Sequence, residues 1–166
     1  TPEFRDTVLD AVVGLDTSYS GYSSPLDATS LLVSSGDGYG QSRAVVKFLH
    51  RGDSLLIRDT VRSFTVDSVV IAFTIEMRDT TVGDLVLEYY RLPKAIDTLA
   101  SFAQVEAAMT PESLLGEIIV PDGTIAGAQE LTLRGDDLAD IEFTPQDSTE
   151  LVIGVRLRAA APTGLR

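Results

Sequence analysis

The densest group of side chains able to do chemistry is a run of carboxylates near the end of the chain, Asp136, Asp137, Asp140 and Glu142. Ca²⁺ takes about six to eight oxygen ligands and prefers such side chains, although the spacing here is not that of an EF-hand loop with its central glycine. Runs of charge more often form a solvated surface. We therefore expect a solvated loop without a cofactor, with a structural Ca²⁺ ion as the alternative.

Three tyrosines form a second group. Tyr19 and Tyr22 lie in one loop rich in glycine and serine, and Tyr39 lies in the next, so the two loops flank a short apolar segment at residues 31–33. Tyrosine rings in loops stack on sugars or anchor protein partners. We predict these three as ligand- or partner-binding residues, with packing over loop backbone as the structural alternative.

Catalytic side chains are sparse. His50 is the sole histidine, it sits beside a turn, and no nucleophile is evident near it in the sequence. The chain contains no cysteine, no Gly-x-Ser-x-Gly elbow and no Ser-x-x-Lys pair. We predict that the protein is not an enzyme. Scattered carboxylates leave a polysaccharide-active enzyme as an alternative, because glycosidic cleavage uses paired carboxylates.

Charge excludes further classes of function. The chain has 13 lysine and arginine residues against 25 aspartate and glutamate residues, a formal net charge of −12. Such a surface repels nucleic acid and anionic lipid faces, so neither is an expected partner. The longest unbroken apolar run, residues 69–73, is far shorter than the roughly 20 residues of a spanning helix, so we predict no transmembrane segment.

The elements that must position these side chains are mainly strands, because apolar residues alternate with period two. In residues 67–77 one face carries five large apolar side chains: Val69, Ile71, Phe73, Ile75 and Met77. Residues 84–92 repeat the pattern after a turn, which predicts an antiparallel hairpin with the first segment. Further predicted strands lie at residues 31–33, 43–49, 55–57, 61–66, 117–120, 129–133, 139–143 and 150–158.

One stretch departs from this period-two alternation. Residues 95–109 carry apolar side chains at helical spacing, with Asp97 as the predicted cap, and Thr110-Pro111 starts a second short turn. Regularly spaced short strands with one helix predict an all-β fold, an antiparallel β-sandwich of jelly-roll type with one helical excursion near 95–109. We expect an arm at residues 1–7, a single domain at 8–158, and a tail or linker at 159–166.

The first half of the chain also carries an ordered set of motifs: YSGYSS (19–24), TSLLV (29–33), GDGYG (36–40), SRAVVKF (42–48) and VDSVVIAF (66–73). This order resembles the secreted bacterial β-jelly-roll modules called DNRLRE domains. The resemblance implies a jelly-roll fold, export, and an adhesive or carbohydrate-binding role. The chain has no tryptophan, where the family commonly places several, and this weakens the glycan inference because sugar rings stack on flat aromatic faces.

These observations together predict a non-catalytic structural or interaction module of an exported bacterial envelope protein. Asparagine is absent and the lysines are Lys47 and Lys94 alone, a usage typical of a GC-rich bacterial genome. We expect a periplasmic or extracellular location, an accessory role on a larger membrane-associated assembly, and a partner that is another protein or an envelope complex. Any membrane anchor is expected in a segment outside this sequence. The alternative is a carbohydrate-binding or adhesion module.

Overall fold

The computed structural model describes residues 30–36, 40–48, 54–63, 65–97, 99–138, 141 and 151–166. The strands in these ranges are β1 (Val33–Ser35), β2 (Ala44–Phe48), β3 (Ser54–Ile57), β4 (Thr60–Ser63), β5 (Ser68–Ile75), β6 (Leu85–Leu92), β7 (Leu114–Val120), β8 (Gly127–Arg134), β9 (Leu151–Arg158) and β10 (Thr163–Leu165). One α-helix, α1 (Phe102–Ala108), and 3-10 turns at Pro111–Ser113 and Gly135–Leu138 accompany them. The predicted all-β class is confirmed at this level.

All strand pairs in the described ranges are antiparallel. A four-stranded sheet has the order β2-β9-β6-β7, and three two-stranded pairs join β1 with β10, β3 with β4, and β5 with β8. No helix in the described ranges has the length and apolar composition needed to cross a membrane.

Strand β5 follows the alternation read from its sequence. Ile71 and Ile75 are buried, Val69 and Phe73 are partly buried, and the residues between them are mostly exposed. Met77, predicted on the same face, lies beyond the end of the strand and is exposed. The apolar face of β5 therefore ends at Ile75.

The main core lies between the β5–β8 pair and one face of the four-stranded sheet. Its buried residues include Ile71, Ile75, Leu85, Leu87, Tyr89, Leu133, Ile153, Val155, Leu157 and Leu165. Complete burial of each aliphatic side chain stabilises the fold by about 1.5–3 kcal/mol. This cluster is what holds the sheet and the strand pair together.

The opposite face of the four-stranded sheet, here called the outer face, is covered in part by residues 93–113. Ile96, Val105 and Met109 from this excursion pack in a second cluster with Leu92 and Val152. The helix begins at Phe102 rather than near residue 95, because Ser101 and Gln104 form a capping box. Asp97, predicted as the helix cap, instead accepts a hydrogen bond from the Leu99 amide within a turn.

The predicted hairpin between residues 67–77 and 84–92 is wrong. Strand β5 pairs with β8, whereas β6 lies between β9 and β7 in the other sheet. The burial patterns give the physical reason: β6 is buried along most of its length, as a central strand covered on both faces must be, whereas β5 is buried on alternate residues only.

The final segment, predicted as a tail or linker at 159–166, contains strand β10. Thr163 and Leu165 are buried, and Leu165 belongs to the main core. The backbone of β10 pairs with β1, so these residues are part of the fold. The predicted arm at residues 1–7 lies outside the described residues.

Candidate functional site

Most of the side chains predicted to bind lie outside the described residues. This holds for Tyr19, Tyr22 and Tyr39, and also for Asp140 and Glu142 of the carboxylate run. Their roles therefore stay predictions.

Asp136 and Asp137 are described. Both are exposed on the 3-10 turn Gly135–Leu138, directly after β8. Among the described residues, no group of three or more potential metal-ligating side chains is found. A Ca²⁺ site involving these two residues remains a prediction.

The structure instead presents an exposed hairpin, residues 54–63, formed by β3 and β4. Within the described part of the chain these strands pair with each other alone. Leu56 and Val61 lie directly opposite each other and are 71% and 69% exposed, and Ile57 beside the turn is 52% exposed. Leu56 and Val61 form a small apolar patch on one face of the hairpin, and exposed apolar patches are candidate contact surfaces.

The turn of the exposed hairpin adds charge to its apolar surface. Arg58 and Asp59 connect the strands with positive φ angles of 46° and 61°, the backbone signature of a type I′ hairpin turn. Arg62 follows on β4, and all three charged residues are exposed. Residues 54–63 thus hold two arginines against one carboxylate in a chain whose overall charge is −12.

A second candidate is a cleft of about 500 Å³ between β2 and the excursion. Arg43, Val45 and Lys47 line it from one side, and Asp97 and Phe102 line it from the other. Phe102 is 44% exposed, so part of its ring is open to solvent beside charged and polar groups. A surface of this composition suits a ligand that is apolar on one side and polar on the other.

Arg43 lines this cleft and is held in place by several contacts. Its Nε donates to the Glu106 carboxylate at 2.7 Å, and its guanidinium lies 5.2 Å from the centre of the Phe102 ring. A second guanidinium nitrogen donates to the backbone oxygens of Ser34 and Ser42. These contacts tie α1 to the residues just before β2 and to Ser34 of β1.

Beside the cleft, the outer face carries a buried carboxylate, Glu88. Its oxygens accept hydrogen bonds from Arg156 Nε at 2.6 Å, Arg158 Nε at 2.7 Å and the Tyr90 hydroxyl at 3.0 Å. Arg158 also donates to Glu117 at 2.9 Å. Each charge in this group therefore has an opposite partner.

Burial and hydrogen bonding act in opposite directions on Glu88. Burial raises the pKa of the carboxyl group, but the hydrogen bonds from Arg156, Arg158 and Tyr90 outweigh it and hold the pKa below its usual value. The pKa of Tyr90 is raised to about 12 by burial and by the neighbouring carboxylate. At neutral pH Glu88 is thus an anion and Tyr90 a neutral donor, so Glu88 is not poised as a general acid.

A mainly apolar cavity of about 300 Å³ reaches into the main core, and Glu76 and Arg166 are among the residues that line it. Phe73 and Tyr89 line it, with ring centroids 5.8 Å apart. The Tyr89 hydroxyl has no hydrogen-bond partner among the described residues, and burial raises its pKa to about 12. Because this hydroxyl is itself out of reach of solvent, the polar residues that line the cavity are Ser30, Thr74, Glu76 and Arg166.

Comparison of the chain with protein-family models, with curated proteins and with solved structures found no match. The assignment of a function therefore depends on the surfaces described above. The sequence predicted strands at residues 55–57 and 61–66 but did not indicate that the exposed hairpin is a site. The available signal was two aliphatic runs separated by Arg58-Asp59-Thr60.

Proposed function

We propose that this chain is a non-catalytic interaction module of an exported bacterial envelope protein, acting as an accessory subunit that docks on a larger membrane-associated assembly. The observation that carries the proposal is the exposed hairpin, with Leu56, Ile57 and Val61 between 52% and 71% exposed. The docking contact is made through this hairpin.

Stability arguments support a docking role for the hairpin. An isolated two-stranded hairpin is marginally stable in water, and aliphatic side chains on its surface cost free energy until they are covered. Docking would cover them and hold the two strands in register. Exposed aliphatic side chains on this hairpin are therefore what we expect of a module that docks on a partner.

The finer fold proposal is an antiparallel β-sandwich of jelly-roll type. Packing of the β5–β8 pair against the four-stranded sheet supports it, since two antiparallel layers around one core are the basis of that architecture. The resemblance of residues 8–92 to DNRLRE modules supports both the jelly roll and export.

The chemistry of the outer face supports a non-catalytic role. Glu88 is held as an anion by two arginines, and Glu117 is paired with one of them. Two carboxylates kept in ion pairs supply neither the protonated acid nor the free base that glycosidic cleavage needs.

The docking role is tested by photo-crosslinking in the cells that produce the protein. Leu56 is replaced by a photoreactive phenylalanine derivative, and the matched control carries the same group at Ile125, which is 63% exposed on the loop between β7 and β8. We expect a defined adduct from position 56, its loss when Val61→Asp is added, and none from position 125. Absence of an adduct at position 56, or equal adducts at both positions, would overturn the proposal.

The second candidate function is carbohydrate binding, and the cleft beside α1 favours it. The half-exposed Phe102 ring could stack on a sugar face while the exposed Asp97 carboxylate accepts hydrogen bonds from hydroxyl groups. A glycan array probed with Phe102→Ala tests it, with Phe48→Ala as control because Phe48 is 40% exposed and does not line the cleft. Binding that Phe102→Ala abolishes and Phe48→Ala leaves unchanged would support this role, whereas an array without signal would remove it.

A further inference from the structure

We infer that the cavity that reaches into the main core is a docking site for an extended segment of another polypeptide, which adds to one edge of β5 as a further strand. This site is separate from the exposed hairpin, because no residue of 54–63 lines the cavity. The inference therefore goes beyond the proposed function and does not depend on it. Strand addition of this kind recognises a partner by its backbone and by its alternate side chains.

The cavity lies along an edge of β5. Its lining includes five consecutive residues of this part of the chain, 72–76. Successive strand residues point to opposite faces of a sheet, so a cavity against one face would be lined by alternate residues only. A cavity lined by both sets reaches an edge of the strand. It is the edge away from β8, since β8 pairs with β5 from Ser68 to Ile75.

The backbone of this edge is able to bind a strand. Within the part of the chain that the structure describes, β5 has β8 as its sole strand partner. Every second residue of an antiparallel strand turns its N–H and C=O groups away from that partner. A row of such groups is a template for pairing with another chain. The five residues that line the cavity present roughly 16 Å of edge, at about 3.3 Å per residue.

Strand β10 already pairs with the chain directly after β5. Arg166 donates its N–H to the Met77 carbonyl at 3.0 Å and accepts a hydrogen bond from the Met77 amide at 2.9 Å. Leu165 lies opposite Arg78 in an antiparallel bridge. On the other side of β10, Leu165 lies opposite Val33 of β1. Strand β10 is thus held between two neighbours, the chain after β5 and strand β1.

The cavity lies in line with β10. The two antiparallel registers, continued past Arg166, run along residues 75–74 on one side and residues 31–30 on the other. All of these residues line the cavity, and so do Leu165 and Arg166. A strand placed in the cavity therefore continues the line of β10, with β5 on one side and the residues before β1 on the other.

The lining predicts the side chains of the partner segment. The inner lining belongs to the main core and includes Leu87 and Tyr89, which are buried. Ala72 and Thr74, on the other face of β5, are exposed. A cavity of about 300 Å³ is within the size range of ligand sites and takes the inward side chains of the added strand. We therefore expect a segment of about five residues in which apolar and polar side chains alternate.

The experiment is selection of binders from a phage-displayed library of random peptides on the purified chain. We expect the selected peptides to share a segment of alternating apolar and polar residues. A fluorescein-labelled copy of the most enriched peptide is then titrated against the unsubstituted chain, Leu31→Asp and Leu32→Asp. Leu31 lines the cavity, whereas its exposed neighbour Leu32 does not. Leu31→Asp should lower the affinity at least about tenfold, and Leu32→Asp should change it less than about twofold.

Methylation of the peptide backbone separates strand addition from apolar binding alone. A methyl group on one amide nitrogen removes a hydrogen-bond donor and leaves every side chain unchanged. We expect methylation to lower the affinity at least about tenfold at the peptide residues that face β5, and less at the residues between them. On the protein, the bound peptide should slow hydrogen exchange at every second amide of residues 72–75.

Three results would each overturn the inference. The library yields no binder, as it would if residues of this chain already filled the cavity. The selected peptide binds Leu31→Asp as well as it binds the unsubstituted chain. Methylation lowers the affinity without alternation along the peptide, which would mean that the cavity binds apolar groups of any kind. Crosslinking from position 56 of the exposed hairpin is unaffected by all three, so failure here is distinguishable from failure of the proposed function.

Discussion

Glu88 is the residue whose surroundings most strongly constrain the outer face. Its side chain is buried, so the free energy of removing a carboxylate from water has to be offset by its partners. Arg156 also lies with its guanidinium 4.7 Å from the centre of the Tyr90 ring and 3.5 Å from Glu106 of α1. The group therefore links two central strands to the helix.

Replacement of Glu88 by glutamine should lower the free energy of unfolding by about 2 kcal/mol at neutral pH, because hydrogen bonds to charged groups are lost in a buried site. The pKa of Glu88 is lower in the folded protein than its ordinary value of 4.5, so its ionised form stabilises the fold above that pH. This contribution is lost as the pH falls through the folded pKa. Urea denaturation of both proteins across this range should show their difference shrinking below pH 4.5.

The control for this prediction is Glu117→Gln. Glu117 accepts from Arg158 at 2.9 Å, but both side chains are largely exposed, so the loss should be about 0.5 kcal/mol or less. A Glu88→Gln protein as stable as the Glu117→Gln protein at neutral pH would contradict the role of Glu88.

At the scale of elements, residues 93–113 pack on the four-stranded sheet at Gly154 of β9, which has no side chain. A Cβ atom on Gly154 of β9 would lie 2.5 Å from Met109 Cε and 2.8 Å from Leu92 Cδ1. The close approach of Met109 requires the absent side chain, since Gly154 has an ordinary strand backbone. Glycine in a strand usually weakens it, and here it allows a close contact between elements.

Gly154→Ala should therefore destabilise the protein by about 1–2 kcal/mol through overpacking. Gly164→Ala is the matched control, because a Cβ atom there meets its nearest neighbour at 3.5 Å, an ordinary contact. Thermal unfolding of the two variants compares them directly. Equal midpoints would show that Met109 and Leu92 move aside without cost.

Strands were predicted well where their alternation of apolar residues is visible within a few neighbouring positions. The predicted strand at 150–158 is found at Leu151–Arg158, because period-two alternation is visible within a few residues. Pairing partners were not predictable in the same way, since β5 meets β8 across more than fifty residues of chain and the choice depends on which apolar faces meet. The helix start was predicted wrongly, near residue 95 with Asp97 as the cap, although Ser101 and Gln104 have the spacing of a capping box.

The candidate surfaces were less accessible to sequence reasoning. The turn of the exposed hairpin holds Arg58 and Asp59 at positive φ without a glycine, so its sequence does not separate a tight turn from a bent strand. The cleft is lined by residues of β2 and of α1, two elements that are far apart in the sequence. The net charge of the whole chain likewise does not reveal that arginines outnumber carboxylates in the hairpin.

At the scale of the whole molecule, β10 ties together parts of the chain that belong to different strand pairs. It pairs with β1 on one side, and on the other the Arg166 carbonyl accepts hydrogen bonds from the amides of Glu76 and Met77, just after β5. Leu165 pairs with Val33, forms a bridge with Arg78 and packs in the main core. One short strand thus joins the start, the middle and the end of the described chain.

Leu165→Ala should consequently cost about 2–4 kcal/mol, since it removes a buried leucine that the surrounding strands cannot easily replace. Leu99→Ala is the control, because Leu99 is largely exposed and surface substitutions change stability by less than about 0.5 kcal/mol. Urea denaturation measures both, and native-state hydrogen exchange shows where the loss falls. If β10 joins the strand pairs as argued, protection decreases together at Ser35, which lies opposite Thr163 of β10, and at the Met77 amide, which donates to Arg166 directly after β10. A decrease at only one of these sites would mean that β10 belongs to that side alone.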